Sequence, residues 1–282
     1  MSDLLYEPLV SVVVASYNYG RYLRDNLDSI LNQTYKNFEV IVIDDGSTDD
    51  SVEIIKEYCD KDTRFHFFEH ENHANLGLTK SLKIAIDYCK GEYIAFCESD
   101  DYWHEEYLKE KINYLNEHRD ADVIVNKFKV FGASEEQVKH YTENPQLLSL
   151  YDKLEKLKKP EMIYFKILED WTFPTFSIVM VRASSLRACN LDAPAVNRLD
   201  VWLFWQLTIH YKTGFVDKEL TYFRRSGESL TGIAPRIMTF QEYKKSFFKT
   251  IKFSAWQRFR LNLVRVKREC IRAKAKLLKK HS

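Results

Sequence analysis

Two pairs of adjacent aspartates each follow an apolar segment of the chain. Asp44 and Asp45 lie in "VIVIDDGSTDDS", and Asp100 and Asp101 lie in "EYIAFCESDDYW". Neighbouring residues at the end of a strand point in different directions, so one carboxylate of a pair can bind a metal ion while the other accepts a hydrogen bond. Proteins commonly hold Mg²⁺ or Mn²⁺ with one or two carboxylates together with substrate phosphates. The two pairs therefore predict a site for a phosphate-containing ligand and a divalent ion.

The segments around these aspartates alternate between two patterns. Continuous apolar segments predict strands buried on both faces, and apolar residues at helical spacing predict helices. The predicted strands are "LVSVVVAS", "FEVIVIDD", "RFHFFEH", "EYIAFCES" and "DVIVNKFKVF", and the predicted helices are "RYLRDNLDSILNQ", "SVEIIKEYC", "LTKSLKIAIDYC" and "EEYLKEKINYLNEH". The alternation predicts an α/β fold with a mainly parallel sheet and helices on both faces. Ligands bind at the carboxyl ends of such strands, so both aspartate pairs are expected in one crevice.

The alternation of predicted strands and helices is less clear beyond Gly132. We expect a helical segment "QLLSLYDKLEKLKKPEMIYFKILED" with a break at Pro160, a strand at "FSIVMV", an aromatic helix at "VWLFWQLTIHY" and two short strands within "GFVDKELTYFRRSGES". We divide the chain into a main domain at 1–239, with halves at 1–130 and 131–239, and a tail at 240–282.

The charges are distributed unevenly along the chain. Residues 240–282 hold 14 Lys and Arg against 2 Asp and Glu, whereas the first 239 residues hold 28 against 39. From about Phe253 the spacing predicts a helix with an apolar stripe flanked by basic residues, which is typical of a helix lying on an anionic membrane surface. A helix packed on the acidic body is the alternative. Since the tail has few interleaved aromatics and the body is acidic, we expect no nucleic-acid partner.

Several classes of protein are disfavoured by composition. The chain is 45% hydrophobic and 29% charged, as in ordinary globular proteins. Its apolar runs are too short to cross a bilayer, and its first residues do not form a secretion signal. Five scattered cysteines predict reduced thiols in a cytosolic protein without a zinc site. Three nearby histidines at 66, 70 and 73 are better explained by a strand and a polar loop than by a metal site.

The segment "SVVVASYNYGRYLRDNLDSILNQTYKNFEVIVIDDGSTDDS", followed by "GEYIAFCESDD", resembles the family 2 glycosyltransferases. The similarity is strong over residues 8–130 and weaker as far as residue 232. The combination of "Y-N", "Q-T-Y", "D-D-G-S-T-D" and "S-D-D" at these separations makes the resemblance specific. It implies the GT-A fold, a nucleotide-sugar donor, an inverting transfer to an acceptor hydroxyl, and Mn²⁺ or Mg²⁺ as cofactor.

The resemblance also implies roles for the aspartate pairs. Asp45 would accept the imide N–H of a uracil, a contact that disfavours cytosine but leaves thymine and guanine open. Asp100 would contact the ribose and Asp101 the metal, while Asp44 would be structural or a secondary contact. A turn before a helix is the alternative reading of the first pair. Other positions matched to the donor site are Ala15, Tyr17, Lys80, Arg224 and Arg225.

The second half would supply the catalytic base. By resemblance this is Asp200 in "NRLDVWLFWQL", although an aspartate at that position can also cap the following helix. Ser226 stands where many relatives have a histidine that completes the metal site. Either Ser226 contributes a weaker oxygen ligand, or Arg224, Arg225 and Lys80 share the charge of the diphosphate.

The expected function is therefore an inverting transfer of a sugar from a UDP-sugar to a hydroxyl of a growing surface glycan, such as a lipid-linked one. The expected location is cytoplasmic, peripheral on the inner face of the membrane. A non-catalytic nucleotide-sugar-binding or scaffold protein of the same fold is the alternative.

Overall fold

A computed structural model describes residues 5–163, 175–193, 199–225, 240–255 and 257–259. Their strands form one sheet in the order β3-β2-β1-β4-β7-β6-β8-β5. The strands are β1 Val10–Ser16, β2 Phe38–Asp44, β3 Phe65–Glu69, β4 Tyr93–Phe96, β5 Tyr102–Trp103, β6 Val123–Phe131, β7 Val179–Arg182 and β8 Thr213–Arg224.

Helices cover both faces of this sheet, as the alternating pattern predicts. They are α1 Gly20–Leu31, α2 Ser51–Lys61, α3 Leu78–Tyr88, α4 Tyr107–Glu117, α5 Glu135–Thr142, α6 Pro145–Glu155, α7 Ala183–Arg187, α8 Leu199–His210 and α9 Phe240–Thr250. Short 3₁₀ turns occupy Glu71–His73 and Phe176–Ile178. Every strand and helix predicted before Gly132 is confirmed, with small differences at the ends.

The sheet is mixed rather than uniformly parallel. β1 runs parallel to β2 and β4, and β2 runs parallel to β3. β7 is antiparallel to β4 and β6, while β8 is parallel to β6 and antiparallel to β5. All seven residues of β2 are buried, as expected for a strand covered on both faces. The parallel part brings the carboxyl ends of β1, β2 and β4 to one edge.

The second half differs from the predictions in four places. The segment predicted as two short strands forms the single strand β8, which continues its pairing with β6 through an irregularity at Lys127. The segment predicted as a strand at "FSIVMV" begins with a 3₁₀ turn before β7. Helix α5 was not predicted, although Ser134 and Gln137 form a capping box at its start. Helix α6 ends at Glu155, ahead of the expected break at Pro160.

Helix α1 anchors the turn that follows β4. The buried Asn26 donates from Nδ2 to the carbonyl oxygens of Glu98 and Asp101, both at 2.8 Å. At the end of the helix, Gln33 donates to the carbonyl of His104 and accepts from the amide of Leu108. Because these buried backbone groups need partners, the two side chains fix the aspartate turn against α1.

The first part of the basic tail contacts the main domain. Phe247 on α9 is fully buried, and its ring lies 5.3 Å from that of Trp202 and 4.9 Å from that of Trp205 on α8. Gln257 donates from Nε2 to the carbonyl of Ile209 at 3.1 Å. Residues 260–282 lie outside the described residues, so the basic amphipathic helix stays a prediction there. None of the described helices is both long enough and apolar enough to span a bilayer.

Candidate active site

Asp44 holds the turn at the end of β2. Its Oδ1 accepts the amides of Gly46 at 3.0 Å and Ser47 at 2.7 Å, and its Oδ2 accepts the Ser47 hydroxyl at 2.5 Å. Gly46 has a φ of +82°, and a Cβ there would lie 2.8 Å from the carbonyl oxygen of His73. The left-handed backbone and this close approach both require glycine. Asp44 thus has the structural arrangement expected from the sequence.

Asp45 joins the turn after β2 to the loop before α3. Its Oδ1 accepts the amides of Leu76 at 2.8 Å and Gly77 at 3.0 Å, together with the Ser81 hydroxyl at 3.0 Å. Among the hydrogen bonds of the described residues, its Oδ2 accepts one, from the Gly77 amide at 3.0 Å. His70 Nε2 lies 3.2 Å from Oδ1. These contacts hold the carboxylate firmly. Asp45 is 6% exposed, so little of its surface is accessible.

The end of β1 lies beside the same turn. Asn18 has a φ of 54°, and its Oδ1 accepts the amide of Thr48 at 2.7 Å. This bond fixes the backbone next to Tyr17, whose side chain is 38% exposed, while Ala15 is partly buried. Lys80 is exposed in the first turn of α3. The structure therefore brings Ala15, Tyr17 and Asp45 to one edge.

A second carboxylate group forms around Asp101 in the turn after β4. Asp101 is 1% exposed; its Oδ1 accepts the amide of Arg224 at 2.8 Å, and its Oδ2 lies 2.8 Å from the Thr175 hydroxyl. The same hydroxyl lies 2.6 Å from Glu98 Oε2. A threonine hydroxyl carries one proton and can donate to only one carboxylate at a time. The second short contact therefore requires a proton on Glu98 or Asp101.

The pKa values in this group agree with the need for a proton. Burial, reinforced by repulsion from Asp100, raises the pKa of Asp101 to about 8. Burial also raises the pKa of Glu98, with repulsion from Asp101 and Asp100 as the next causes. Loss of water disfavours the charged form of a carboxyl group, and nearby negative charge adds to that effect. A bound cation at this place would relieve the same repulsion.

Arg224 ties strand β8 to the aspartate turn. Besides the backbone bond to Asp101, its Nε donates to the carbonyl of Asp100 at 2.8 Å and its Nη2 contacts Asp25 Oδ2 at 3.0 Å. The guanidinium also lies 4.4 Å from the ring centres of Tyr22 and Phe131. These contacts hold the turn in place, and a contact of Arg224 with the donor diphosphate stays a prediction. The guanidinium of Arg225 lies against the rings of Tyr141 and Phe223.

Asp200 lies in the first turn of α8, on the side of the carboxylate group. Phe204, one helical turn further, stacks on Phe176 with ring centres 5.4 Å apart, and Phe176 directly follows Thr175. The charge of Asp200 contributes to the raised pKa of Glu98, after burial and the nearer aspartates. The second half thus supplies a carboxylate close to Glu98. Trp202, Phe204 and Trp205 are buried in the core and do not form an exposed sugar platform.

A metal ion finds no complete set of protein ligands among the described residues. The described residues contain no group of three or more His, Cys, Asp or Glu side chains arranged around one ion position. The expected ligand Ser226 lies outside the described residues. The histidines at 66, 70 and 73 form no such group either: His73 contacts Glu69 and the carbonyl of Ser47.

Sequence reasoning missed the residues that support the aspartates. Asn26, Thr175 and Ser81 carry no motif that marks them, because each finds its partners only when distant segments meet. The sequence also assigned no role to Glu98, whose carboxylate contacts the same Thr175 hydroxyl as Asp101.

Comparison with known proteins agrees with this geometry. Residues 11–188 match the model of glycosyl transferase family 2. A glycosyltransferase of Methanocaldococcus jannaschii is 31% identical over 226 residues, covering 77% of this chain and 71% of that protein. Glycosyltransferase GlyA of Streptococcus pneumoniae is 38% identical over 132 residues, which is 47% of this chain but 18% of that protein. This chain therefore corresponds to a small part of GlyA.

Solved structures share the fold over most of the chain. S. aureus TarS 1–349 in complex with UDP-GlcNAc has a TM-score of 0.61 and 24% identity, covering 80% of this chain and 61% of that one. Mannosyltransferase PcManGT of Pyrobaculum calidifontis, in complex with GDP-Man and Mn²⁺, has a TM-score of 0.57 and 16% identity, covering 88% and 66%. These likenesses show the GT-A fold. Because the family model matches residues 11–188 and the M. jannaschii relative is 31% identical over 71% of its own length, the chain belongs to the family 2 glycosyltransferases.

Proposed function

We propose that the protein transfers a sugar from a UDP-sugar to a hydroxyl of a growing glycan, with inversion at the sugar carbon. The observation that carries this proposal is the meeting of three groups at one edge of the sheet. Asp45 is fixed at the end of β2, Asp101 lies after β4, and Asp200 lies on α8 close to Glu98. Asp45 would bind the nucleobase, Asp101 the metal ion at the diphosphate, and Asp200 the acceptor hydroxyl.

Asp45 would read the nucleobase of the donor. Its Oδ2 accepts one amide at 3.0 Å and retains lone pairs for the imide N–H of uracil. Cytosine presents an acceptor at the same position, so its lone pair would face a carboxylate. The TarS neighbour is solved with UDP-GlcNAc, which supports a uridine donor for this chain.

The residues around Asp101 fit a divalent ion. Buried carboxylates that share one hydroxyl lack compensating positive charge, and a cation would supply it. Asp101 would hold the ion, with the remaining ligands from the donor phosphates, and Asp100 would lie beside the ribose. Mn²⁺ or Mg²⁺ would stabilise negative charge on the leaving diphosphate. The PcManGT neighbour is solved with Mn²⁺.

Asp200 would accept the proton of the acceptor hydroxyl as the new bond forms. An inverting transfer needs a base on the face opposite the leaving group, and Asp200 comes from the half of the chain that does not hold the diphosphate turn.

The basic tail would hold the enzyme at the inner face of a membrane that carries a lipid-linked acceptor. Residues 260–282 contain nine Lys and Arg against one Glu. Each basic residue near an anionic surface contributes about 1 kcal/mol of binding, so a few suffice for attachment.

The first prediction is that Asp45→Asn reverses nucleotide preference. The Leu76 and Gly77 amides and the Ser81 hydroxyl should hold the new carbonyl oxygen at the Oδ1 position. The amide NH₂ would then face the base, where it suits cytosine and opposes uracil. We expect the parent to prefer UDP over CDP by about 10- to 100-fold, the value of a charge-assisted hydrogen bond, and the variant to lose or invert that preference in calorimetry. Equal binding of both nucleotides to the parent would exclude the assignment.

The second prediction concerns Asp101 and pH. Because the pKa of Asp101 is raised from 3.8 to about 8, its proton stabilises the fold at low pH, and this stabilisation is lost as pH rises through about 8. An asparagine can accept from Arg224 and donate to Thr175 without a charge. Without divalent ions, the melting temperature of Asp101→Asn relative to the parent should therefore increase from pH 5 to pH 9.

Addition of Mg²⁺ with UDP at pH 8 should stabilise the parent and not the Asp101→Asn variant. The exposed Asp192, whose side chain is 75% exposed, provides the matched Asp192→Asn control, which should behave like the parent. A melting difference that does not change with pH, or a variant that still responds to Mg²⁺ and UDP, would contradict the role of Asp101.

The third prediction is that Asp200→Asn slows transfer by about 10²- to 10⁴-fold, the usual contribution of a general base. UDP binding should change little, because Asp200 lies outside the nucleotide contacts. Steady-state transfer rates and calorimetric UDP binding measure the two effects, again with Asp192→Asn as the control. Full activity of the variant would exclude Asp200 as the base and leave it as an acidic residue in the first turn of α8. Donor binding without any turnover in the parent would favour a non-catalytic protein.

The fourth prediction concerns residues 260–282. The full chain should sediment with anionic vesicles and not with neutral ones, and salt should weaken the binding. Truncation after Phe259 keeps the buried Phe247 and Gln257 and should abolish vesicle binding without unfolding the protein. If the truncated protein still sediments with anionic vesicles, the membrane contact lies elsewhere.

A further inference from the structure

The two oxygens of Asp45 have different surroundings. Oδ1 accepts two backbone amides and the Ser81 hydroxyl at 2.8–3.0 Å. Among the hydrogen bonds of the described residues, Oδ2 accepts one, from the Gly77 amide at 3.0 Å, which it shares with Oδ1. The carboxylate plane is therefore held from the Oδ1 side, and lone pairs stay available at Oδ2.

The hydrogen bonds on the Oδ1 side form a chain in which each group donates toward Asp45. The Ser81 hydroxyl lies 3.0 Å from Asp45 Oδ1 and 2.8 Å from His70 Nε2. The Ser81 hydroxyl also lies 3.3 Å from the Gly77 carbonyl oxygen. A carboxylate without a proton can only accept, so the shorter contact with Asp45 takes the single Ser81 proton, and Ser81 accepts from His70. His70 therefore carries a proton on Nε2. Ser81 is fully buried and His70 is 5% exposed, so water competes little for these bonds.

This order differs from that of a hydrolytic triad. In such a triad the serine donates to the histidine, which can then remove its proton and activate the oxygen. Here the serine donates to the aspartate, and the histidine donates to the serine. Since Ser81 is also fully buried, it cannot attack a substrate. The three residues are arranged to orient a carboxylate.

We propose that His70 and Ser81 are positioning residues that orient Asp45 so that Oδ2 faces the nucleobase of the donor. The inference rests on the proposed uridine donor and adds the residues that make its recognition selective. Ser81 lies inside α3, and His70 follows β3 directly. These two side chains fix the plane of the carboxylate on the Oδ1 side, and the Leu76 and Gly77 amides before α3 complete its contacts.

A loss of orientation should affect the two pyrimidine nucleotides differently. A hydrogen bond to the uracil imide depends on the direction of the Oδ2 lone pairs. Repulsion of the cytosine acceptor depends mainly on the negative charge, and it weakens if the carboxylate can rotate away. Loosening Asp45 should therefore weaken UDP binding and leave CDP binding unchanged or slightly improved. General damage to the site would instead weaken both nucleotides by the same factor.

The test compares the ratio of the Kd values for CDP and UDP in the full-length protein, measured by calorimetry. Ser81→Ala and His70→Leu each remove a donor and should reduce the ratio by about 3- to 10-fold, corresponding to one neutral hydrogen bond. His70→Gln, which retains an N–H at a similar reach, should restore most of the parent ratio. His66→Leu is the matched control, because His66 lies on β3, four residues before His70, and has no contact with Asp45 among the bonds of the described residues. Its ratio should equal that of the parent.

Melting curves check that each variant is folded, and Ser81→Cys replaces Ser81→Ala if the alanine variant is unstable. A parent that discriminates, with unchanged ratios in Ser81→Ala and His70→Leu, would overturn this inference and leave the proposed function standing. An equal loss of UDP and CDP binding would also overturn it, since that result indicates structural damage alone. A parent that binds no UDP would overturn the proposed donor together with this inference.

Discussion

A carboxylate that leaves water must find hydrogen-bond donors or a proton, and the site depends on how its aspartates meet this requirement. Asp44 takes the amides of its own turn. Asp45 takes donors from the loop before α3, and Asp101 takes the amide of Arg224 from the other half of the chain. The bonds of Asp45 and of Asp101 each join one more segment to the sheet edge, so satisfying these carboxylates also assembles the site.

The three solutions leave the carboxylates in different chemical states. Asp44 and Asp45 each accept several hydrogen bonds and are held rigidly. Asp101 and Glu98 compete for one hydroxyl, and burial raises the pKa of both. In the proposed function, the rigid Asp45 would bind the base of the donor, and a cation at Asp101 would take the place of the proton.

Arg224 joins the two halves of the chain at the aspartate turn. It bridges the Asp100 carbonyl, Asp25 and two aromatic rings, while its role at the donor diphosphate, like that of the exposed Lys80, stays a prediction. Its main structural effect is to hold β8 against the aspartate turn, so the second half of the chain contributes to the geometry of Asp101 as well as to the acceptor side.

The sequence by itself determined the first half of the fold and the position of the aspartates. Uninterrupted apolar strands such as β2 and the helical spacing of α1 are local patterns, and parallel strands necessarily bring Asp45 and Asp101 to one edge. It could not indicate that β8 is one strand, because its continuity depends on pairing with β6 through an irregularity. Nor could it identify Asn26, His70, Ser81 or Thr175 as partners of the site. Those roles exist only in the tertiary structure, since a buried donor acquires its acceptor when segments far apart in the chain pack together.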